Sequence, residues 1–138
     1  MTAEFRLRVY YEDTDAGGIV YYANYLKFAE RARTEALLAL GFSQTELRDR
    51  LGLLFAVRSA TIDYLAPARL EDRLVVTAEV TALGGSRIDM AQEVRRGDTV
   101  LARCRVTLVC IGADARPARI PPEVRTALGG LLPERGFS

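Results

Sequence analysis

Histidine is absent from this chain of 138 residues, and that absence limits its chemistry more than any other feature. Without imidazole there is no Ser-His-Asp triad, no Cys-His dyad, and no zinc or iron site that relies on histidine ligands. Lysine is nearly absent too, since Lys27 is the single lysine and the other basic residues are arginine. Any catalysis must therefore use carboxylates, hydroxyls, Lys27, arginines or backbone amides.

Cysteine is also scarce, and its two copies, Cys104 and Cys110, lie in one strand-like run. An extended chain would place them roughly 20 Å apart, whereas a disulfide needs Cα atoms within about 7 Å of each other. We therefore expect two buried, unpaired thiols and a reducing compartment.

Long apolar runs are missing as well. No stretch approaches the roughly 20 apolar residues of a membrane-spanning helix, and the first residues lack the apolar core of a signal peptide. The 19 basic and 18 acidic residues nearly cancel, so the charge gives no reason to expect nucleic acid or an anionic membrane as a partner. We expect a cytoplasmic protein with no nucleic-acid partner and no membrane insertion.

The residues that are present suffice for one core, since 49% of them are hydrophobic. We expect a single domain over residues 1–138. Apolar periodicity predicts a strand, a long helix, a short helix, four further strands, a short terminal helix and a frayed tail after Gly129. Their predicted ranges are 4–11, 21–40, 44–51, 53–65, 73–82, 86–95, 99–111 and 122–128. This order is typical of an α+β fold, and a sheet of this kind leaves an edge strand for a partner subunit.

The strongest chemical signal is an acidic loop set among tyrosines, five of which fall between residues 10 and 25. Gly17 and Gly18 allow positive φ and a close approach of a ligand to the backbone. The helix that follows offers unpaired N–H groups, which can hold a developing oxyanion. With the carboxylate of Asp15, such donors suffice to cleave an activated ester without histidine. The same residue types also form helix caps, Asx turns and tyrosine-rich cores, so the residues alone leave both interpretations open.

The segment 11–25, which begins YEDTDAGGIVY, resembles the signature of the 4-hydroxybenzoyl-CoA thioesterase-like family of hotdog-fold proteins. The runs ERARTE at 30–35 and YLAPARL at 64–70 resemble the branch associated with the Tol-Pal envelope system. The resemblance extends over about 5–122. It implies a five-stranded antiparallel sheet wrapped around one long helix.

The resemblance also implies an activity, the hydrolysis of a short-chain aliphatic or aromatic acyl-CoA. Neither a metal nor another cofactor is implied, because CoA enters as part of the substrate. A homodimer or tetramer is expected, with the active site at the subunit interface. The alternative is a non-catalytic hotdog module that binds an acyl carrier protein or an envelope-assembly protein.

Three residues receive catalytic roles from the resemblance. Asp15 is the expected nucleophile or general base, the backbone amide of Tyr22 polarises the thioester carbonyl, and Tyr11 is implicated in the Tol-Pal branch. That branch commonly has histidine at the position of Tyr22. A tyrosine side chain normally stays protonated near neutral pH, so this exchange bears on substrate choice and rate more than on reaction type. Hotdog hydratases and dehydratases use a catalytic histidine, which this chain lacks.

Four further residues are candidates for substrate binding. Gly18 and Tyr25 lie in the same segment as Asp15 and are expected to contact the acyl group or the thioester. Arg58 and Arg87 are candidates for the CoA phosphates, which arginine binds well. Each of these two arginines can equally be read as a solvated surface residue.

Overall fold

One antiparallel sheet of five strands dominates the fold and packs against a long helix. The structure is a computed structural model and describes residues 2–133. The elements in this part of the chain are β1 (Ala3–Arg8), a 3₁₀ turn (Tyr11–Asp13), α1 (Asn24–Ala39), α2 (Gln44–Leu51), β2 (Leu54–Tyr64), β3 (Arg73–Leu83), β4 (Arg87–Arg96), β5 (Thr99–Ile111) and α3 (Pro122–Gly129). The order across the sheet is β1-β3-β4-β5-β2, so β1 and β2 are its edges. The predicted α+β class, with a five-stranded antiparallel sheet around one long helix, is confirmed.

Two boundaries near the acidic loop differ from the prediction. β1 ends at Arg8, three residues early, because the Asp13 carboxylate accepts a hydrogen bond from the Tyr10 N–H (2.8 Å) and turns the chain. α1 begins at Asn24, three residues late, because the Asn24 N–H bonds to the Tyr21 C=O (2.9 Å) in a tighter turn. The other predicted boundaries are correct to within one residue.

Helix α1 packs across β1, β3 and β4, where the alternating apolar side chains of the strands meet it. Its buried face carries two large rings, Leu37 and three small residues: Tyr25, Phe28, Leu37, Ala29, Ala32 and Ala36. The alanines let the helix axis approach the sheet closely, and Phe28 fills the space that remains. None of the helices in residues 2–133 has the length and apolar character needed to cross a membrane.

Strand β2 is a long and exposed edge. Its pairing with β5 shifts register at Arg58, between Val57 and Ser59, which is a bulge in the strand. Several of its apolar side chains are open to solvent, including Val57 at 52% and Tyr64 at 45% exposure. An edge of this length with unpaired backbone groups is a surface that another strand can join.

The end of the described chain is packed, which corrects the prediction of a tail that frays after Gly129. Leu131 is only 5% exposed, and its C=O accepts a hydrogen bond from the Val80 N–H (3.0 Å). Its apolar side chain joins the core beside α3, and this contact orders the backbone. The rest of the predicted tail, residues 134–138, lies outside the described residues.

Both thiols are buried and unpaired, as predicted. Cys104 and Cys110 face the core side of β5. Burial raises the pKa of each thiol above its ordinary value, so both stay protonated at neutral pH.

Candidate active site

The acidic loop folds into a tight hairpin that holds the Asp15 side chain in one orientation. The Asp15 N–H donates to the Ile19 C=O (2.9 Å), and the Asp15 C=O accepts from the Gly18 N–H (3.0 Å). The Asp15 Oδ1 accepts the Gly17 N–H at 2.8 Å, which is an Asx turn. The carboxylate is nevertheless exposed, and its Oδ2 accepts no hydrogen bond from residues 2–133. One oxygen is therefore held while the other faces solvent.

Both glycines of the loop serve this geometry. Gly18 has a φ of 80°, a left-handed conformation that favours glycine. A Cβ on Gly17 would lie 3.2 Å from the Asp15 Oδ1, so a side chain there would crowd the carboxylate. The structure thus explains the glycine pair through the orientation of Asp15.

The hairpin is bonded directly to the start of α1. The Asp13 C=O accepts two hydrogen bonds, from the Tyr21 N–H (3.0 Å) and from the Asn24 side-chain amide (2.9 Å). Its carboxylate is occupied by the Tyr10 N–H. Asp13 is therefore a structural residue that joins the loop to the helix, and Asp15 is the carboxylate left open.

The helix start presents free backbone donors on consecutive residues. The N–H groups of Tyr22 and Ala23 find no acceptor within residues 2–133. The first N–H groups of a helix lack partners inside it and point outward, toward any anion placed at that end. The Tyr22 amide, to which the family resemblance assigns a role, is therefore free to donate a hydrogen bond. Ala23 offers a second free N–H, which sequence analysis missed.

Aromatic rings line a pocket beside these donors. The pocket has a volume of about 350 Å³ and is bordered by Tyr22, Tyr25, Tyr64 and Leu65, among others. The Tyr64 ring stands edge-on to the Tyr22 and Tyr25 rings, with centroid distances of 6.3 and 5.3 Å. The walls are largely apolar and suit a short acyl chain or an aromatic ring.

Tyr25, predicted to bind substrate, is mainly a core residue. It is 3% exposed, and its hydroxyl accepts the Ala68 N–H at 3.0 Å. Its ring contacts Phe28 beneath it, so Tyr25 forms the floor of the pocket and anchors the β2–β3 connection. By contrast, Tyr11 is 83% exposed on the 3₁₀ turn that leads into the acidic loop.

The two arginines proposed for the CoA phosphates lie away from this pocket within one chain. Tyr64 pairs with Ala102 on β5, whereas Arg87 pairs with Val109, roughly 23 Å further along that strand. Arg87 also lies 3.4 Å from the Asp89 carboxylate. Arg58 is exposed at the bulge of β2, roughly 20 Å from Tyr64 along the strand. The structure therefore does not bring either arginine to the Asp15 loop of its own chain.

A second cavity, of about 230 Å³, lies between α1 and the inner faces of β2, β4 and β5, and Arg33 borders it. The Arg33 guanidinium donates to the Gln92 side chain (2.9 Å), and Gln92 donates in turn to the C=O groups of Ala29 (2.9 Å) and Thr77 (3.2 Å). Burial lowers the pKa of Arg33 below its ordinary value. Sequence analysis missed this pair, because one glutamine in a strand carries no signal of burial.

Asp72 is a second residue that sequence analysis missed, and it fixes the loop behind the pocket. Its Oδ2 accepts the Arg69 N–H (2.8 Å) and the Arg96 guanidinium (2.7 Å). Partial burial raises the pKa of this carboxyl, but the bonds from Arg69 and Arg96 outweigh that effect and hold the pKa below its ordinary value of 3.8. A side-chain acceptor that reaches back to the backbone N–H three residues before it is the pattern of a capping box, so the spacing of Arg69 and Asp72 was a signal for this contact.

We expect Asp72→Asn to lower the free energy of unfolding by about 1–3 kcal/mol at pH 7, because an amide replaces a charged acceptor. Since the folded pKa is depressed, this stabilisation is present above the unfolded pKa and is lost as the pH falls through the folded value. Urea unfolding of both proteins from pH 7 down to pH 2 measures the difference. Asp98→Asn, at the exposed β4–β5 turn, is the control. A difference that stays constant across this range contradicts the assignment.

Comparison with known proteins identifies the family. The sequence pattern of the thioesterase superfamily matches residues 17–107. The acyl-CoA thioesterase YbgC of Haemophilus influenzae is 44% identical over 128 residues, which cover 92% of this chain and 94% of that protein. A probable thioesterase from Bartonella henselae has a TM-score of 0.85 at 35% identity, covering 88% of this chain and 100% of that one. A 1,4-dihydroxy-2-naphthoyl-CoA thioesterase from Synechocystis has a TM-score of 0.88 at 28% identity, covering 95% and 98%.

The matched residues include the two glycines that end the acidic loop, the long helix and four of the five strands, although β5 extends four residues beyond the match. The similar solved structures share the sheet-around-helix architecture along nearly the whole described chain. The chain therefore belongs to the thioesterase superfamily, a family of thioester hydrolases, and has its hotdog fold.

Proposed function

We propose that this chain is an acyl-CoA thioesterase in which Asp15 and the N–H groups at the start of α1 act on the thioester carbonyl. One observation carries the proposal: an exposed carboxylate lies on a hairpin that is bonded directly to a helix start, where the N–H groups of Tyr22 and Ala23 are free. The names of two relatives, acyl-CoA thioesterase and 1,4-dihydroxy-2-naphthoyl-CoA thioesterase, support a CoA thioester as the substrate.

In this mechanism the Tyr22 N–H donates to the carbonyl oxygen and stabilises the negative charge that develops there. Asp15 then acts in one of two ways. It attacks the carbonyl carbon, expels the CoA thiolate and forms a mixed anhydride that water hydrolyses, or it takes a proton from a water that attacks the carbonyl carbon, after which the C–S bond breaks and the CoA thiolate leaves. We propose a further role for Tyr11, because its phenol is exposed on the turn that leads into the Asp15 hairpin.

The acyl group belongs, in this proposal, in the aromatic pocket beside Tyr22. Its volume and apolar walls favour a short aliphatic chain or a single aromatic ring. Gly18 leaves the adjacent backbone open to the thioester, since no heavy atom lies within 4 Å of the position of an added Cβ. Tyr25 shapes the floor of the pocket rather than its entrance.

A second copy of the chain is proposed to complete the site. β2 is an exposed edge with apolar side chains that a partner strand would cover. Because Arg58 and Arg87 lie far from the Asp15 loop of their own chain, their proposed role at the CoA phosphates requires the loop of another copy. We therefore propose a homodimer or a tetramer.

The runs at 30–35 and 64–70 support the Tol-Pal branch, with an acyl carrier protein or an envelope-assembly protein as a proposed partner.

The test is the release of thiol from a panel of acyl-CoAs that runs from acetyl to long-chain groups and includes benzoyl and 4-hydroxybenzoyl. We expect saturable turnover, with the highest kcat/KM for short aliphatic or single-ring acyl groups. Light scattering on the same sample is expected to give the mass of a dimer or tetramer. A folded oligomer that hydrolyses no member of the panel would contradict the enzyme and favour the binding module.

A further inference from the structure

The hydroxyl of Tyr64 reaches the backbone of the helix start. It donates a hydrogen bond of 2.8 Å to the C=O of Tyr22, 42 residues away in the chain. That C=O belongs to the peptide group whose N–H is the free N–H of Ala23. Because a peptide group is planar, a bond that holds its oxygen also fixes the direction of its N–H.

The neighbouring peptide group is held in the same way. The Tyr21 C=O accepts the Asn24 N–H at 2.9 Å, and the N–H of that peptide is the free one of Tyr22. Each free donor at the helix start therefore belongs to a peptide whose oxygen is already bonded. A bond to the oxygen polarises the amide, which makes its N–H a stronger donor.

Tyr64 is itself firmly placed for this contact. It ends β2, and the N–H of the next residue, Leu65, bonds to the Leu101 C=O at 2.8 Å. Its ring packs edge-on against Tyr22 and Tyr25. Burial, and then the neighbouring Tyr22 and Tyr25, raise the pKa of the Tyr64 hydroxyl, so it remains a proton donor across the working pH range.

We propose that Tyr64 is a positioning residue, which fixes the Tyr22–Ala23 peptide so that the N–H groups of Tyr22 and Ala23 together form a two-donor oxyanion site. Tyr64 acts through the backbone and does not touch the reacting atoms. The inference rests on the proposed thioesterase function and adds to it a second donor and the side chain that aims it.

The first test is Tyr64→Phe, which keeps the ring and removes the hydroxyl. We expect kcat to fall about tenfold while KM changes less than about twofold, because the lost alignment matters mainly when charge develops on the oxygen. Inhibition by S-trifluoroacetonyl-CoA, whose hydrated ketone mimics the tetrahedral state, should weaken in parallel with kcat. Tyr10→Phe, which removes an exposed hydroxyl near the same loop, is the matched control and should keep the activity of the parent. Unchanged kcat in Tyr64→Phe overturns the proposal.

A second measurement tests the geometry of the helix start and does not depend on enzyme activity. In ¹⁵N-labelled protein, Tyr64→Phe should move the Ala23 amide proton upfield more than the Tyr22 amide proton, because only the peptide of Ala23 loses a bond to its oxygen. If the parent hydrolyses no acyl-CoA and this shift is still seen, the proposed thioesterase function is wrong, but Tyr64 does position the Tyr22–Ala23 peptide. An unmoved Ala23 resonance overturns the positioning itself. Should Tyr64→Phe fold poorly, a protein with 3-fluorotyrosine at position 64 replaces it, because this residue keeps the O–H. A loss of kcat in that protein also overturns the proposal.

Discussion

Asp15→Asn is expected to lower kcat for thioester hydrolysis by about 10²–10⁴-fold, the loss that follows removal of a positioned base. The side-chain oxygen of asparagine can still accept the Gly17 N–H, so the hairpin should keep its shape. The substitution removes the negative charge and the basic oxygen that faces solvent. Thiol release at saturating substrate, measured for both proteins side by side, gives the ratio.

Glu12→Gln is the matched control, since Glu12 is an exposed acid three residues earlier in the same segment. It should retain the activity of the parent. Equal turnover by Asp15→Asn and the parent would remove Asp15 from the mechanism. Single-turnover hydrolysis in H₂¹⁸O tests the nucleophilic role, because label that enters the Asp15 carboxylate shows that this carboxylate attacked the carbonyl, whereas a general base gains no label.

Phe28→Ala is expected to lower the free energy of unfolding by about 3–5 kcal/mol. Phe28 is fully buried, in the cluster that also holds Tyr25 and the inward residues of β1 and β3. Its loss leaves a cavity beneath the pocket that the fixed backbone cannot fill. Since most domains are stable by only about 5–15 kcal/mol, the variant would be close to unfolding at 37 °C. Urea unfolding followed by circular dichroism measures the change.

Leu26→Ala, on the same helix, is the control for helix propensity and for the loss of apolar atoms. Leu26 is 39% exposed, so its truncation should cost less than about 1 kcal/mol. Similar losses for the two variants would show that Phe28 does not carry the packing assigned to it.

The secondary structure could be predicted well because each element carries its own local signal. Ser43 lies before α2 and accepts the Glu46 N–H, as a helix-capping serine should. Gly41 follows α1 with a φ of 95°, the conformation in which a helix commonly ends. The errors arose where a distant or competing bond decided the boundary, as when Asp13 turned the chain at Tyr10.

The candidate site was only partly predictable. The acidic loop and its glycines are contiguous in sequence, so Asp15 and the N–H groups of the following helix were predicted together, and the family resemblance singled out the amide of Tyr22. Tyr25 has the same residue type and the same neighbourhood as Tyr22, yet it is 3% exposed where Tyr22 is 61% exposed. Their places in the structure decide this difference: Tyr25 lies in the first turn of α1 on its buried face, whereas Tyr22 precedes the helix. The absence of histidine excluded more classes of catalytic site than any single contact in the structure did.

The sequence by itself thus determined the class of fold, the order of its elements, the acidic loop that carries Asp15 and the exclusion of chemistry that needs histidine. Only the tertiary structure decided that Tyr64 bonds to the helix start, that Gln92 holds Arg33, and that Arg87 lies at the far end of the sheet. The physical reason is the separation in sequence over which each kind of interaction acts. Periodicity, caps and turns act over a few residues, whereas these contacts join positions 42 or more residues apart, or depend on strand register, which is set when the sheet forms.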